Sequence, residues 1–247
     1  MRTLLLLLVS LLLLSVVYQP SSGLDKDLVA YFRFNHCDGR DASGMGSYAR
    51  FVGGVGCWCG VEDEGVQFDG RTGHLVFEGP INNYFTTSDL TISFYLKPEA
   101  HTAFLESLLG KRESCGEEFA LDLFHNFNRQ EITTIFQESE FKYFKDLSPA
   151  LPDGRWFHVA LVRQGIYART YINGKLVRES RRCSGVDISN TAPLSFSDSP
   201  CITAGRARRF KGVLDELRIY DRALTDEEIE ALYLLIPIEN IQMDCVS

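Results

Sequence analysis

The stretch Leu90-Thr-Ile-Ser-Phe-Tyr-Leu-Lys97 decides the fold class. Leu90, Ile92, Phe94 and Leu96 fall on one side and Thr91, Ser93, Tyr95 and Lys97 on the other. A period of two suits a strand with one face on a core and the other in or near water. Further along, Trp156-Phe-His-Val-Ala-Leu-Val162 is apolar on both sides except at His158, which predicts an inner strand. Tyr167-Ala-Arg-Thr-Tyr-Ile172 follows and runs into Asn173-Gly174. Both turn residues accept positive φ cheaply, so the pair marks a hairpin. Val29 to Phe34 supplies a first strand and Gly212 to Tyr220 a late one. Short Val/Ile/Phe/Tyr/Thr runs bounded by Gly, Asp, Asn and Pro predict an all-β sandwich or barrel. The exception is Thr225 to Tyr233, where Thr225 and Glu228 form a capping box and Asp226 and Glu227 suit a helix N-terminus. One short C-terminal helix is expected there. No repeat or Pro-rich linker divides the body, so one domain is assigned to 24–235, with 236–247 as a tail or linker.

Residues 1–23 carry one basic residue, Arg2, then a Leu/Val run from Leu4 to Val17, then small residues at Ser21 and Gly23. That order matches a secretory signal peptide cut before Leu24, and the apolar run is too short to span a bilayer. Cleavage of 23 residues from 247 leaves 224, with 24 basic and 33 acidic side chains. So acidic a chain is not a bulk nucleic-acid binder. No second apolar run approaches spanning length, and the protein is expected to be secreted, extracellular or at the cell surface. All seven cysteines follow the leader, which predicts disulfides. Cys183 with Cys201 is the first expected pair, because the two bracket a polar, turn-rich stretch between strand-like segments. Cys37 with Cys57 or Cys59 is the second, flanking a Gly-rich excursion. Cys115 and Cys245 stay unassigned. The odd count leaves one thiol free or linked to a partner chain. Cys57-Trp58-Cys59 has no matching second pair, which argues against zinc.

Several segments then occur in a telling order: Leu28-Val-Ala-Tyr-Phe-Arg-Phe34, Asp41-Ala-Ser-Gly-Met-Gly46, Val66-Gln-Phe-Asp-Gly70 and Leu90 to Pro98. Gly154-Arg-Trp-Phe-His-Val-Ala160, Tyr171-Ile-Asn-Gly-Lys-Leu-Val177 and Gly212 to Leu224 complete the set. The ensemble resembles the laminin G-like (LamG) domain of the concanavalin A-like lectin/glucanase superfamily. The resemblance implies a jelly-roll sandwich of two curved antiparallel sheets. It also implies a binding role toward glycans or proteins, often with calcium, without naming the ligand.

A glycosidase needs two carboxylates facing one scissile bond. Glu138-Ser-Glu140 is followed on its face by Lys142, and Glu118 and Asp122 lack a middle acid, so catalysis is not expected. Asp215 lies inside an apolar strand, as an inward carboxylate held by loop N–H groups, His158 or an arginine, or by a structural Ca²⁺ to which the Asp41 loop adds oxygens. Trp58, between two cysteines and two glycines, and the loop aromatics Tyr84 and Phe85 are the candidate sugar-contacting rings. Trp156 is assigned to the core, and Phe141 to Phe144 to a half-buried strand. Arg178, Arg181 and Arg182 precede Cys183, while Arg206, Arg208, Arg209 and Lys211 follow Cys201. A Cys183–Cys201 bridge would unite them, with Arg181, Arg182, Arg208 and Arg209 gripping an acidic glycan. The expected function is a secreted, non-catalytic binding module, for carbohydrate first and for a cell-surface protein second. A glycan-cleaving enzyme is a remote third.

Overall fold

The computed structural model describes residues 23–100, 102, 104–116, 118–126, 128–181 and 185–241. Residues 1–22 of the expected leader, Arg182, Cys183 and Cys245 lie outside these residues. The strands begin with β1 (Leu28–Phe32), β2 (Tyr48–Val52), β3 (Val55–Cys59), β4 (Glu64–Asp69), β5 (His74–Glu78) and β6 (Leu90–Pro98). Next come β7 (Leu105–Lys111), β8 (Ala120–Asn126), β9 (Glu131–Gln137), β10 (Tyr143–Leu147) and β11 (Phe157–Gln164). The set ends with β12 (Tyr167–Ile172), β13 (Lys175–Arg181), β14 (Ser195–Phe196), β15 (Arg208–Arg209) and β16 (Lys211–Tyr220).

These build two sheets. The first runs β13-β12-β11-β6-β16-β4-β3 with β1 also on β16; the second runs β10-β9-β8-β7-β14-β5-β2 with β15 on β7. The pairings are antiparallel apart from the short β15–β7 ladder. The alternation of β6 sends Ile92, Phe94 and Leu96 into the core between the sheets, where they join Val159, Leu161 and Leu217 and meet Leu121, Leu123, Ile132 and Phe136 of the second sheet. The architecture is the all-β jelly-roll sandwich. Among the described residues, no helix is long and apolar enough to cross a membrane.

The opposite face of β6 departs from expectation. Thr91, Ser93 and Tyr95 are fully buried rather than near water, because the helix Asp226–Leu235 lies over them as a third layer. Its Ile229, Leu232 and Tyr233 pack with Ala160, Val162, Tyr171 and Tyr220 or beside them. Each such burial contributes roughly 1.5–3 kcal/mol for a large apolar side chain. The polar residues of β6 serve this layer. Thr91 Oγ1 donates to Arg222 O and accepts from Leu224 N, and Tyr95 Oη donates to Ile236 O at 2.6 Å. Thr225 and Glu228 close the capping box as predicted. Asn173 and Gly174 turn the β12–β13 hairpin at φ 51° and 74°, and a side chain at Gly174 would press on the Tyr233 ring.

Strand β16 also differs from a straight alternating reading. Its register shifts between Asp215 and Arg218, with Glu216 at φ 53°. The bulge lets Leu214, Leu217 and Ile219 all reach the core. Asp215 thereby stands opposite Tyr95 on the outer face, not on the face of Leu217 and Ile219.

Disulfides join Cys37 to Cys57 and Cys115 to Cys201, and Cys59 is disulfide-bonded as well. The expected Cys183–Cys201 bridge is therefore corrected. Cys201 sits in the helical turn Pro200–Thr203, buried with Phe124 and Ala207 on the outer face of β8, and the β7–β8 loop brings Cys115 against it. The Cα atoms are 4.8 Å apart, within bonding reach. Non-reducing peptide mapping should recover Cys115 and Cys201 in one linked species; a Cys183–Cys201 peptide would refute this pairing.

Candidate functional site

Trp58 lies on the edge strand β3, opposite Gly65, and is 49% exposed. Tyr84 is half-buried against the core. Phe85 is fully buried within it, so its ring is not available to a ligand: the 80–85 turn points Ile81 and Phe85 inward. Trp156 is half-buried just before β11 rather than a core residue.

The bridge expected to unite the arginines is replaced by Cys115–Cys201, and Arg182 lies outside the described residues. Arg181 lies over the Tyr167 ring and donates to its hydroxyl. Arg208 stacks on Phe104 at 4.3 Å, and Arg209 is paired with Asp198 at 3.2 Å and donates to Ser197 O. These guanidinium groups are committed to neighbours in the protein, with Arg208 and Arg209 on the second sheet and Arg181 at the edge of the first.

The carboxylates considered for calcium are filled by donors. Asp215 Oδ2 accepts from Val61 N at 2.8 Å and Glu62 N at 3.5 Å, and its Oδ1 accepts from Glu216 N at 2.8 Å. A Cβ at Gly60 would overlap this carboxylate. Asp41 Oδ1 takes Tyr31 N, Ser43 N and Ser43 Oγ, while Oδ2 takes Ser47 N. A calcium site collects oxygens, whereas these carboxylates collect N–H and O–H hydrogens, which present the same polarity as the cation. The residues do not fit the ion. Among the described residues, no group of three or more His, Cys, Asp or Glu converges as a metal site.

A different place gathers exposed aromatics. The β9–β10 turn closes through Glu138 N to Lys142 O at 2.9 Å and Lys142 N to Ser139 O at 3.3 Å, and Lys142 Nζ pairs with Glu138 at 2.7 Å. This tight turn leaves the Phe141 ring 83% exposed. Tyr143, next on the same side, is 41% exposed, and Phe119, whose N–H donates to Glu138 O, is 40% exposed. Phe141 borders an open groove of about 510 Å³, lined among the described residues by Ser114, Gly116, Glu118, Ser139 and Glu140. Ser114 also borders a shallower depression of about 660 Å³ with Glu113, Asp198 and Ser199.

The wall formed by 112–116 is rigidly held. Arg112 folds beneath it, donating from Nε to Ser114 O at 2.6 Å and through its other nitrogens to Gly116 O and the Asp122 carboxylate. The Cys115–Cys201 bond anchors the same loop. Burial pushes the Asp122 carboxyl up to about 7, against the downward pull of Arg112. The sequence reading placed Phe141 in a half-buried strand and so missed this site. The available signal was one aromatic inside the polar run Gln137-Glu-Ser-Glu-Phe-Lys142, a turn composition. Of the carboxylates weighed for hydrolysis, Asp122 is sealed under Arg112, and Glu138 is committed to Lys142 and to Asp187 N.

Two outcomes follow. Melting curves in millimolar calcium and in chelator should superimpose, and a rise in calcium would restore the metal. Because Asp122 titrates near 7 in the fold and at 3.8 when free, its contribution is present below pH 4 and lost as pH rises through 7. Asp122→Asn should therefore gain stability relative to the parent chain between pH 4 and pH 8, by on the order of 2 kcal/mol; a difference independent of pH would contradict the assignment.

The comparisons extend the fold. The structure is similar to the binding domain of Paraclostridial Mosquitocidal Protein 1, with TM-score 0.68 and 18% identity over 85% of this chain and 52% of that one. It is similar to Domain 4 of AbnA, a GH43 extracellular arabinanase from Geobacillus stearothermophilus solved in complex with arabinotriose, with TM-score 0.66 and 18% identity over 84% and 98%. It is also similar to the binding domain of Botulinum neurotoxin DC in complex with rat synaptotagmin II, with TM-score 0.68 and 13% identity over 86% and 52%. The chain thus spans about half the length of the toxin binding domains it matches. No curated protein sequence matches it. A laminin G family model (Laminin_G_3) matches residues 69–230. With that match over most of the sandwich, the chain belongs to the concanavalin A-like lectin/glucanases superfamily.

Proposed function

We propose that this chain is a secreted, non-catalytic module that binds glycans at the groove beside Phe141. The observation that carries the reading is the Phe141 ring, 83% exposed at the end of a tight hairpin, with exposed Tyr143 two residues on and exposed Phe119 hydrogen-bonded to the same turn. A large apolar surface left in water is costly to keep unless a ligand covers it. Hydroxyls of Ser114 and Ser139 and the carboxylates of Glu118 and Glu140 stand around the ring. Flat apolar ring and polar rim together suit a sugar, which offers a C–H face and peripheral hydroxyls. The arabinotriose complex of the similar AbnA domain supports the same class of ligand. Extracellular action agrees with the disulfides.

A second reading, a protein partner, has one observation in its favour. Leu176 and Val177 on the edge strand β13 and Leu234 and Leu235 on the C-terminal helix are all exposed, and this helix and β13 touch. A cell-surface protein, or a chain linked through a remaining cysteine, would use that side rather than the groove. The synaptotagmin complex of the similar toxin domain lends weight to this reading.

A glycan array separates the two readings. The parent chain should retain specific oligosaccharides without releasing product, and Phe141→Ala should lose at least tenfold in affinity, about 1.4 kcal/mol. Equal retention by Phe141→Ala would remove the groove from the proposal, and an array with no ligand at all would favour a protein partner.

A further inference from the structure

We infer that the groove selects glycans bearing protonated amino groups, of the hexosamine type. The inference rests on the glycan reading above and narrows its ligand class. It starts from which carboxylates near the groove are already engaged. Glu113 accepts from Thr191 N and Oγ1, Asp198 is paired with Arg209, Glu138 with Lys142 and Asp122 with Arg112. Glu118 and Glu140 differ: among the described residues neither makes a hydrogen bond or an ion pair, and both line the groove that Phe141 borders.

Among the described residues, the cations of the loops that form the groove are directed elsewhere, while Lys145 stands exposed on β10 beyond Tyr143. Lys142 is drawn to Glu138. Arg112 is buried beneath the loop on Asp122, Ser114 O and Gly116 O. Arg206 donates to Cys115 O. Among the described residues, the groove therefore presents the carboxylates of Glu118 and Glu140 without a cation partner and, bordering it, the face of Phe141, whose quadrupole is itself negative. An anionic sugar would meet repulsion from all three. A neutral sugar would stack on the ring and donate its hydroxyls to the serines and carboxylates, but it would leave the negative charge unbalanced. A sugar with an ammonium group satisfies the whole constellation: its C–H face lies on Phe141, its amine points to Glu118 or Glu140, and its hydroxyls reach Ser114 and Ser139. The sign is opposite to the acidic glycan that the arginine clusters suggested, and it agrees with the net charge of −8, which raises the local concentration of cationic ligands.

The test is calorimetric titration of the whole chain with glucosamine tetramer, N-acetylglucosamine tetramer and tetralysine in low salt. The first should bind about tenfold more tightly than the second. That preference should shrink to within about twofold in Glu118→Gln/Glu140→Gln, and in high salt. Both side chains are exposed, so an unaltered melting temperature for the double variant guards against misfolding. Equal affinity of the two tetramers, or a preference that survives the double substitution, would overturn the amino-sugar inference and leave the glycan reading standing. Failure of both tetramers together with an empty glycan array would overturn the glycan reading itself. Tetralysine binding as tightly as the glucosamine tetramer, unaffected by Phe141→Ala, would reduce the groove to a sink for any cation and overturn selection of a sugar.

Discussion

Strand β16 is the member on which the first sheet depends. It pairs with β6 along one side and with β4 and β1 along the other, so a disturbance there reaches both termini of the sandwich. Its bulge forces Glu216 into a left-handed backbone conformation, φ 53°, which costs on the order of 1 kcal/mol for a residue with a Cβ. The return is a set of polar contacts that no regular strand would provide. Asp215 turns outward and gathers the main-chain N–H groups of Val61 and Glu62, fixing the turn between β3 and β4. Glu216 is fully buried, yet it accepts from Tyr31 Oη at 2.6 Å and pairs with Arg218 at 2.5 Å. Arg218 in turn lies 4.0 Å over the Tyr31 ring. A buried carboxylate is tolerated only with such company; here Arg218 comes from β16 itself and Tyr31 from β1, so the network adds a side-chain link to the β1–β16 ladder.

Polar satisfaction also explains why both outer faces carry a third layer. On the first sheet, Ser93 and His158 Nε2 share a hydrogen bond at 2.8 Å, and the Tyr95 and Tyr233 rings close over the imidazole. Burial holds His158 down to about 3, so it stays neutral and never asks for a counter-ion. On the second sheet the cover is smaller, namely the 112–116 loop and the turn Pro200–Thr203, clamped by Arg112, Asp122 and one disulfide. The groove that Phe141 borders lies between this loop and the β9–β10 turn, whose tight closure leaves the ring in solvent.

The parts legible in the sequence were those governed by local period and capping chemistry. The alternation of Leu90 to Lys97, the apolar run ending at Val162, the Asn173-Gly174 turn and the Thr225 capping box each depend on residues within a few positions of one another. The ordered motifs then carried the family. What escaped depends on long-range placement. Nothing local to Thr91, Ser93 and Tyr95 reveals that a helix more than a hundred residues later will bury them. The pairing of Cys115 with Cys201, 86 residues apart, follows from the β7–β8 loop meeting a helical turn, not from either cysteine's neighbours. Phe85 and Phe141 show the same limit at the site. Both are loop aromatics flanked by polar residues, but one turn folds its ring over the core and the other holds it away.

Charge illustrates why composition and site have to be argued separately. A net −8 excludes a polyanion partner only on average, and the arginines around Cys183 and Cys201 offered a local exception. That exception needed a bridge to assemble it. Without the bridge, Arg181, Arg208 and Arg209 are spent on Tyr167, Phe104 and Asp198, each an intramolecular partner that a ligand would have to displace. Among the described residues, Glu118 and Glu140 have no such competitor, so a ligand cation meets them without first breaking a contact. The accessible charge of the groove is thus set by which side chains the fold has left unemployed, and there it is negative.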